Sequence, residues 1–411
     1  MRADDDELPD FFPSLDRSVC YINAAGRSPL PERSLVAGLA AVAKKANHPW
    51  DVGDTEAIKD EIRELFASLL IGADANDIAT APSCSHAISL AAHNLRSRLR
   101  ERTPGARQVL VLHDQMPSNV LAWQALCEDE AGELLVVPRP PRGRSWADAI
   151  VERVAGGTVA VVAVAPCHWT DGAIVDLAPV GRACRAAGAH LVVDATQYLG
   201  AAPALDVRGI GISFLACSVH KWLLGPYGVC LCYAAPEFWR DARAIDHHDR
   251  NREGAQHVDC LPMDPRTGFV TAFQPGARRL DSGGRPSFIL LPILAASLRL
   301  LVHEIRIPRL VRHLSALTAE VASRAVALGF EVPERHAPGI VGLRPAPWMP
   351  SSTALVAALA RQPRKVLVSD RLGSIRVSPH LYNTRGDVEQ LISGLADAVG
   401  REPARAPRPR L

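Results

Sequence analysis

Two residues carry the clearest chemistry in this chain, Asp194 and Lys221. Asp194 closes the apolar, β-branched run His190-Leu-Val-Val-Asp194. Such a run reads as a buried parallel strand that delivers a carboxylate at its C-terminal edge, where open α/β sheets build their sites. A second run, Ile212-Ser-Phe-Leu-Ala-Cys217, leads into Ser218-Val-His220-Lys221 and the turn Gly225-Pro-Tyr227-Gly228. An acid on one strand end and a lysine on the next is the pairing that pyridoxal phosphate needs. The lysine holds the cofactor as a Schiff base, and the acid keeps the pyridine nitrogen protonated so that the ring accepts electrons from a carbanion at the substrate's Cα. The competing reading, a helix-capping Asp194 and a solvated Lys221, leaves the strand context of both without a reason.

The elements that must position this pair are legible as alternating strands and helices. After a helix over 88–99, strands are expected at 108–113, 133–138, 158–165 and 190–194, with helices at 118–127, 146–154 and 177–187 between them. That alternation predicts a mostly parallel, doubly wound sheet. Ahead of it, apolar spacing predicts helices over 31–45, with Pro31 placed to start the first, and over 55–70, separated by a loop around Trp50. Beyond residue 287, two apolar-faced helices (290–303 and 309–328) give way to strands at 339–343, 365–369 and 374–378 and a closing helix over 387–399. The expected organisation is an N-terminal arm (1–30), a large domain (31–287), a smaller α+β domain (288–400) and a disordered Pro- and Arg-rich tail (401–411).

Bulk properties bound the function. A chain of 411 residues is long enough for two domains, and a net charge of +2 makes no case for nucleic acid or an acidic membrane, which leaves small molecules as the expected partners. No apolar run reaches the roughly 18 residues of a membrane span, and the N-terminus lacks the basic-then-apolar order of a signal peptide. A cytoplasmic protein is therefore expected. The 9 cysteines are scattered without zinc spacing, so buried reduced thiols are the expectation. Asp246-His-His-Asp249, His257 and Cys260 lie in an irregular stretch without a frame to fix metal geometry, so a mobile lid or dimer loop is the preferred reading.

Val193-Asp194-Ala-Thr-Gln197, Ser218-Val-His220-Lys221 and Trp222 to Gly228, in that order, resemble the class V aminotransferase and cysteine desulfurase group of fold-type-I enzymes that use pyridoxal 5'-phosphate. The resemblance runs from Asn23 to Asn383 and implies a large domain with a doubly wound sheet plus a smaller α+β C-terminal domain. It also implies roles. The Ser83-Cys-Ser85-His86 segment opens a helix, which on local grounds is a simple serine cap. The resemblance places the cofactor phosphate there, with Ser85 and His86 as contacts. Met116 stands where the family packs a ring-bearing residue over the cofactor, and the Cys167-to-Gly172 loop stands where it reaches the cofactor's phenolic edge. His168 and Asp171 are candidates there, with a plain turn at Asp171-Gly172 as the alternative. Gln197, Ser218 and His220 complete the cofactor set. Gly283 and Gly284 match a turn that crosses to a second subunit's phosphate, which implies a homodimer. Gly284 departs from the larger polar residue of the relatives, and Arg285 is a candidate replacement. Asn23 and Ala24 fall in a segment that lies against the active site in the family and that residue types alone read equally as a docking strand. Arg376, in Ile375-Arg376-Val-Ser378-Pro379-His380, matches the arginine that grips the substrate carboxylate.

These implications predict an enzyme acting on an amino acid or related amine through a Cα carbanion, with Lys221 as base once the substrate amine displaces it. From that point elimination, transamination and epimerisation diverge, and the expectation leans to a carbon–sulfur β-elimination lyase, with transamination next. Persulfide formation is not expected, because no cysteine follows Cys260 and the 351–376 segment, where those relatives hold their attacking thiol, offers only serine and threonine hydroxyls. A catalytically silent cofactor-binding protein is the reading from another class, for which Met116, Gly284 and His86 leave room. Intact Asp194, Lys221 and Arg376 argue against it.

Overall fold

The protein, described by a computed structural model, is ordered around one large sheet; the described residues are 10–400 apart from 52, 54, 255–263, 269–271 and 285. His257, Cys260, Arg285 and the tail over 401–411 therefore lie outside the described residues.

In chain order the strands of the large sheet are β1 (Ile78–Ala81), β2 (Gln108–Leu112), β3 (Glu133–Val137), β4 (Val159–Val164), β5 (His190–Asp194), β6 (Phe214–Ser218) and β7 (Cys230–Ala234). Their spatial order is β1-β7-β6-β5-β4-β2-β3. Strands β2 to β6 run parallel to their neighbours, whereas β7 is antiparallel to both β6 and β1. Every residue of β4, Val-Ala-Val-Val-Ala-Val, is buried, because helices cover both faces of a parallel sheet and leave no side for polar groups. The β5–β6 register sets Asp194 beside Ala216, so the acid ends its strand two residues before Ser218 ends the next. This is the α/β, fold-type-I arrangement.

A second sheet contains β8 (Val341–Leu343), β9 (Ser369–Arg371) and β10 (Ser374–Val377), in the order β8-β10-β9. It packs with the helices Ile307–Leu328, Ser352–Leu359 and Arg385–Val399 around a separate apolar cluster that includes Val341, Ile375, Leu355, Leu391 and Val321. Cys20 and Ile22 join that cluster, since Cys20–Tyr21 pairs with Val366–Leu367. The Leu290–Arg299 helix, placed with the small domain on sequence, packs its Leu291, Leu294 and Leu298 into the first cluster. The division between the two cores thus falls inside Ile307–Leu328, whose Leu310 and Leu314 belong to one and Leu317 and Val321 to the other, and not at residue 288.

Other differences from the sequence reading have local causes. The helix expected from 88 begins at Cys84, because the Ser83 hydroxyl accepts the His86 N–H at 3.1 Å and caps it four residues earlier. The strand at Ile78–Ala81 was not expected, being short and followed at once by Pro82.

Candidate functional site

A cavity opens at the C-terminal ends of β5 and β6, and its walls include Ser83, Ser85, Met116, His168, Gln197 and Lys221. Asp194, Ser218 and His220 also line it, as do Cys84, Cys167 and Trp169. About 230 Å³ is open to solvent-sized groups.

Lys221 follows β6 on a tight loop. Gly225 N–H donates to the Val219 carbonyl at 2.8 Å, and the buried Leu224 is held at φ 56, a left-handed conformation that leucine adopts only under constraint. The constraint comes from Ser297 on the Leu290–Arg299 helix, whose hydroxyl donates to the Leu224 carbonyl at 2.7 Å. Burial lowers the pKa of the Lys221 amine, Asp194 opposes that shift, and the Arg376 charge adds to it. A buried lysine with a depressed pKa is suited to nucleophilic and proton-transfer work.

The carboxylate of Asp194 accepts the Thr196 N–H at 3.0 Å, and Thr196 Oγ1 accepts the Ser218 N–H at 3.1 Å. Thr196 therefore ties the acid's strand end to the lysine's. Gln197 is committed on both sides of its amide: Nε2 donates to the Ala25 carbonyl at 3.0 Å and Oε1 accepts from Trp222 Nε1 at 2.9 Å. It reaches the cavity wall mainly as a spacer between Trp222 and the 23–26 segment.

His168 is buried, stacked on Trp146 at 5.5 Å between ring centroids, with Nδ1 at 2.7 Å from Thr170 Oγ1 and Nε2 at 3.0 Å from the His113 carbonyl. Burial lowers its pKa, with Asp171 acting against that shift. Asp171 does not line the cavity: its carboxylate pairs with Arg139 at 2.6 Å and caps the turn by accepting the Ala173 N–H. Gly172 is required at that turn, because at φ 79 a Cβ would stand 2.3 Å from the Ile340 carbonyl oxygen.

His86 sits in the first turn of the Cys84–Arg100 helix with Nε2 3.6 Å from Asp246 Oδ1, away from the cavity wall. Gly283 N–H donates to Asp246 Oδ2 at 2.6 Å, and Gly284 stands at φ 81 with open space around it, a conformation that a larger residue adopts only with strain. The turn is fixed from below by Asp281, buried between Lys59 at 2.9 Å and Arg63 at 2.5 Å. Asn23 and Ala24 line the seam between the two cores instead of the cavity: Asn23 Oδ1 accepts from Ser369 Oγ at 2.8 Å, and Ala24 N–H donates to the Ser378 carbonyl at 2.9 Å.

Arg376, on β10, is 1% exposed. One Nη donates to the Trp169 carbonyl at 2.9 Å, its Nε is buried without a partner, and no carboxylate among the described residues pairs with it. Burial, with the Arg371 guanidinium next in importance, pushes its pKa down to about 9. Trp169, Thr196 and Ser297 were not singled out from sequence; only Trp169, an aromatic in a short polar loop, offered a signal there. Among the described residues no His, Cys, Asp and Glu are grouped to hold a metal ion, and no helix is long and apolar enough to cross a membrane.

The comparisons with known proteins agree with this geometry. Residues 39–321 match the family model described as aminotransferase class-V. The chain belongs to the class V aminotransferase family. It is 28% identical over 337 residues to "Uncharacterized aminotransferase YcbU" of Bacillus subtilis, covering 81% of this chain and 82% of that one. Among solved structures it is similar to the cysteine desulfurase CsdA of Escherichia coli, with a TM-score of 0.78, 20% identity and coverage of 95% and 97% of the two chains. It is likewise similar to the cystine C-S lyase C-DES in complex with its reaction product cysteine persulfide, at a TM-score of 0.79, 18% identity and coverage of 94% and 99%. Pyridoxal phosphate is the cofactor of this family. The residues present fit it: a buried lysine with a depressed pKa, a carboxylate on the neighbouring strand end and a serine-capped helix terminus meet in one cavity.

Proposed function

We propose that this member of the class V family is a lyase that eliminates a sulfur-bearing group from the β-carbon of an amino acid without forming a protein persulfide. The observation that carries the reading is the state of the thiols. All eight described cysteines are buried. The two that line the cavity, Cys84 and Cys167, have pKa values raised, that of Cys84 chiefly by its contact with Cys230 and then by burial, and that of Cys167 by burial to about 12. Attack on sulfur requires a mobile thiolate, and these are buried thiols whose surroundings disfavour ionisation.

In this reading Lys221, Asp194, the Ser83–Ser85 turn and Ser218 would hold the cofactor, with Met116 as the side chain available to its ring. Bound pyridoxal phosphate supplies the electron sink that acidifies Cα. The Asp194 carboxylate holds a proton on the ring nitrogen, kept in place by Thr196. Arg376 anchors the substrate carboxylate, for which its unpaired guanidinium is suited. Once the substrate amine has taken its place, the Lys221 amine would take the proton from Cα, the electrons of that C–H bond would form the Cα–Cβ double bond, and the bond from Cβ to the leaving sulfur would break with its pair leaving on sulfur as thiolate. His168, bonded at both nitrogens, orients the wall.

Transamination is the second reading, favoured by the aminotransferase name of the Bacillus subtilis relative; in it Lys221 would move the Cα proton with no bond to a Cβ substituent broken. The same account includes a homodimer in the cytoplasm. An apolar stripe on the Glu32–Asn47 helix, Val36, Leu39 and Val42, stands 50–61% exposed, and the Gly283–Gly284 turn adds little to its own core. A light-scattering mass of two chains is expected, and an active monomer would contradict this.

The deciding experiment incubates purified enzyme with a panel of amino acids and follows products by NMR. Pyruvate or another oxo acid formed in step with free thiol supports elimination. Alanine formed in step with a persulfide on any cysteine sinks it.

A further inference from the structure

The small-domain sheet sets a second arginine beside Arg376, both behind the Trp169 wall of the cavity and neither on its lining. Strands β9 and β10 form a hairpin in which Ser369 faces Arg376 and Arg371 faces Ser374, joined by Leu372 at φ 51 and Gly373 at φ 83. Two positive φ angles in a two-residue loop make a turn whose twist fixes the register of the strands it joins. Side chains alternate along a strand, so Arg371 projects from the same face as Ser369, diagonal to Arg376. Both guanidiniums stand over the Trp169 ring, at 5.7 and 5.9 Å from its centroid, and Trp169 is a wall of the cavity.

Among the described residues neither cation has an anion. The Nε atoms of Arg371 and Arg376 are both buried without a hydrogen-bond partner, and the remaining bonds go to backbone carbonyls, of Asp370 at 3.1 Å and Trp169 at 2.9 Å. The acids closest at hand are committed elsewhere: Asp370 accepts from Ser352 and Thr353 on the opposite face, and Asp171 pairs with Arg139. Two like charges confined beside one indole repel each other. One substrate carboxylate satisfies one guanidinium and leaves the other unmatched.

We propose that Arg371 and Arg376 together bind an amino acid with a second acidic group on its side chain, Arg376 taking the α-carboxylate and Arg371 the distal oxyanion. Arg371 is then a specificity residue, and this rests on the reading of Arg376 as the carboxylate anchor. The hairpin turn sets the spacing of the two cations, and the Trp169 ring gives both one wall to stand against.

The test uses the cofactor-loaded enzyme and two unreactive probes that differ only in one charge, glutarate and its monoamide glutaramate, titrated by calorimetry. Glutarate is expected to bind at least about tenfold more tightly, the effect of one charge-assisted pair. Arg371→Gln should remove that preference while leaving glutaramate binding unchanged, and Arg371→Lys should keep part of it. Arg376→Gln should weaken both probes. Equal affinity for the two probes in the unaltered enzyme, or an equal loss for both in Arg371→Gln, overturns the proposal while the Arg376 reading stands. Glutaramate binding that survives Arg376→Gln overturns both.

Discussion

Arg63 and Arg376 are equally buried, each 1% exposed, and their surroundings are opposite. Arg63 donates to the Asp281 carboxylate at 2.5 Å and to the Ile78 carbonyl, and Lys59 joins the same acid at 2.9 Å. The positive charges of Lys59 and Arg63 carry Asp281 well below the usual carboxylate range, against the opposing effect of its burial. Arg376 has a carbonyl, an indole and a second arginine. A buried charge with its counter-ion holds the fold together, whereas one without it is tolerated only where something else will supply the partner. Lys59 and Lys221 repeat the contrast among lysines: the first is paired to Glu56 and Asp281, and the second lines the cavity with its amine's pKa depressed.

The contrast breaks most visibly at Asp281. Asp281→Asn removes the buried acid that Lys59 and Arg63 share, leaving them Glu56 at 3.4 Å and Asp60 at 3.7 Å, and should cost roughly 3–5 kcal/mol in urea unfolding. A loss below about 1 kcal/mol would show that the network does not carry the turn.

His380 sharpens the comparison from the neutral side. It is fully buried, stacked on Trp222 at 5.5 Å, and burial lowers its pKa from 6.5 to about 4. The unfolded chain therefore binds a proton that the folded chain refuses between those values. Stability is complete above pH 6.5 and falls as the pH drops towards 4, by up to about 3 kcal/mol. His380→Asn should flatten that part of the pH–stability curve; an unchanged slope would assign it to other groups.

At Arg376 the expected effects divide. Arg376→Met keeps the stem's volume and removes an unpaired charge, so folding stability should change by less than about 1 kcal/mol. Amino-acid affinity should fall about 10- to 100-fold, the size of a lost hydrogen-bonded charge pair. A stability loss as large as that of Asp281→Asn would place Arg376 with Arg63. The smallest effect is expected at Met116, 36% exposed on the cavity rim: Met116→Ala should weaken cofactor binding by about twofold to tenfold, read from spectral titration. No change would leave Met116 outside the site.

What could be read from sequence follows the same division. The positions of Asp194 at one strand end and Lys221 just beyond the next were legible because parallel strands are apolar throughout, so a charged residue there stands out. Asp281 and Arg63 were not, because 218 positions separate them and neither sits in a motif. Arg371 was missed for a different reason: its role depends on which face of a three-residue strand it occupies, and only the Leu372–Gly373 turn fixes that. The Leu290–Arg299 helix was assigned to the other core because an apolar face does not say what it packs against. The Cys84 helix start was hidden among Ser83, Ser85 and Thr80, any of which is an acceptable cap until the backbone direction is known.

The central claim is that the buried Lys221 holds the cofactor, and borohydride reduction followed by peptide mass mapping tests it directly. The account predicts a yellow protein whose colour is fixed by reduction, with the cofactor's mass on the peptide containing Lys221 and none on that containing Lys59. Cofactor mass on any other lysine, or a protein that takes up no cofactor at all, would contradict it.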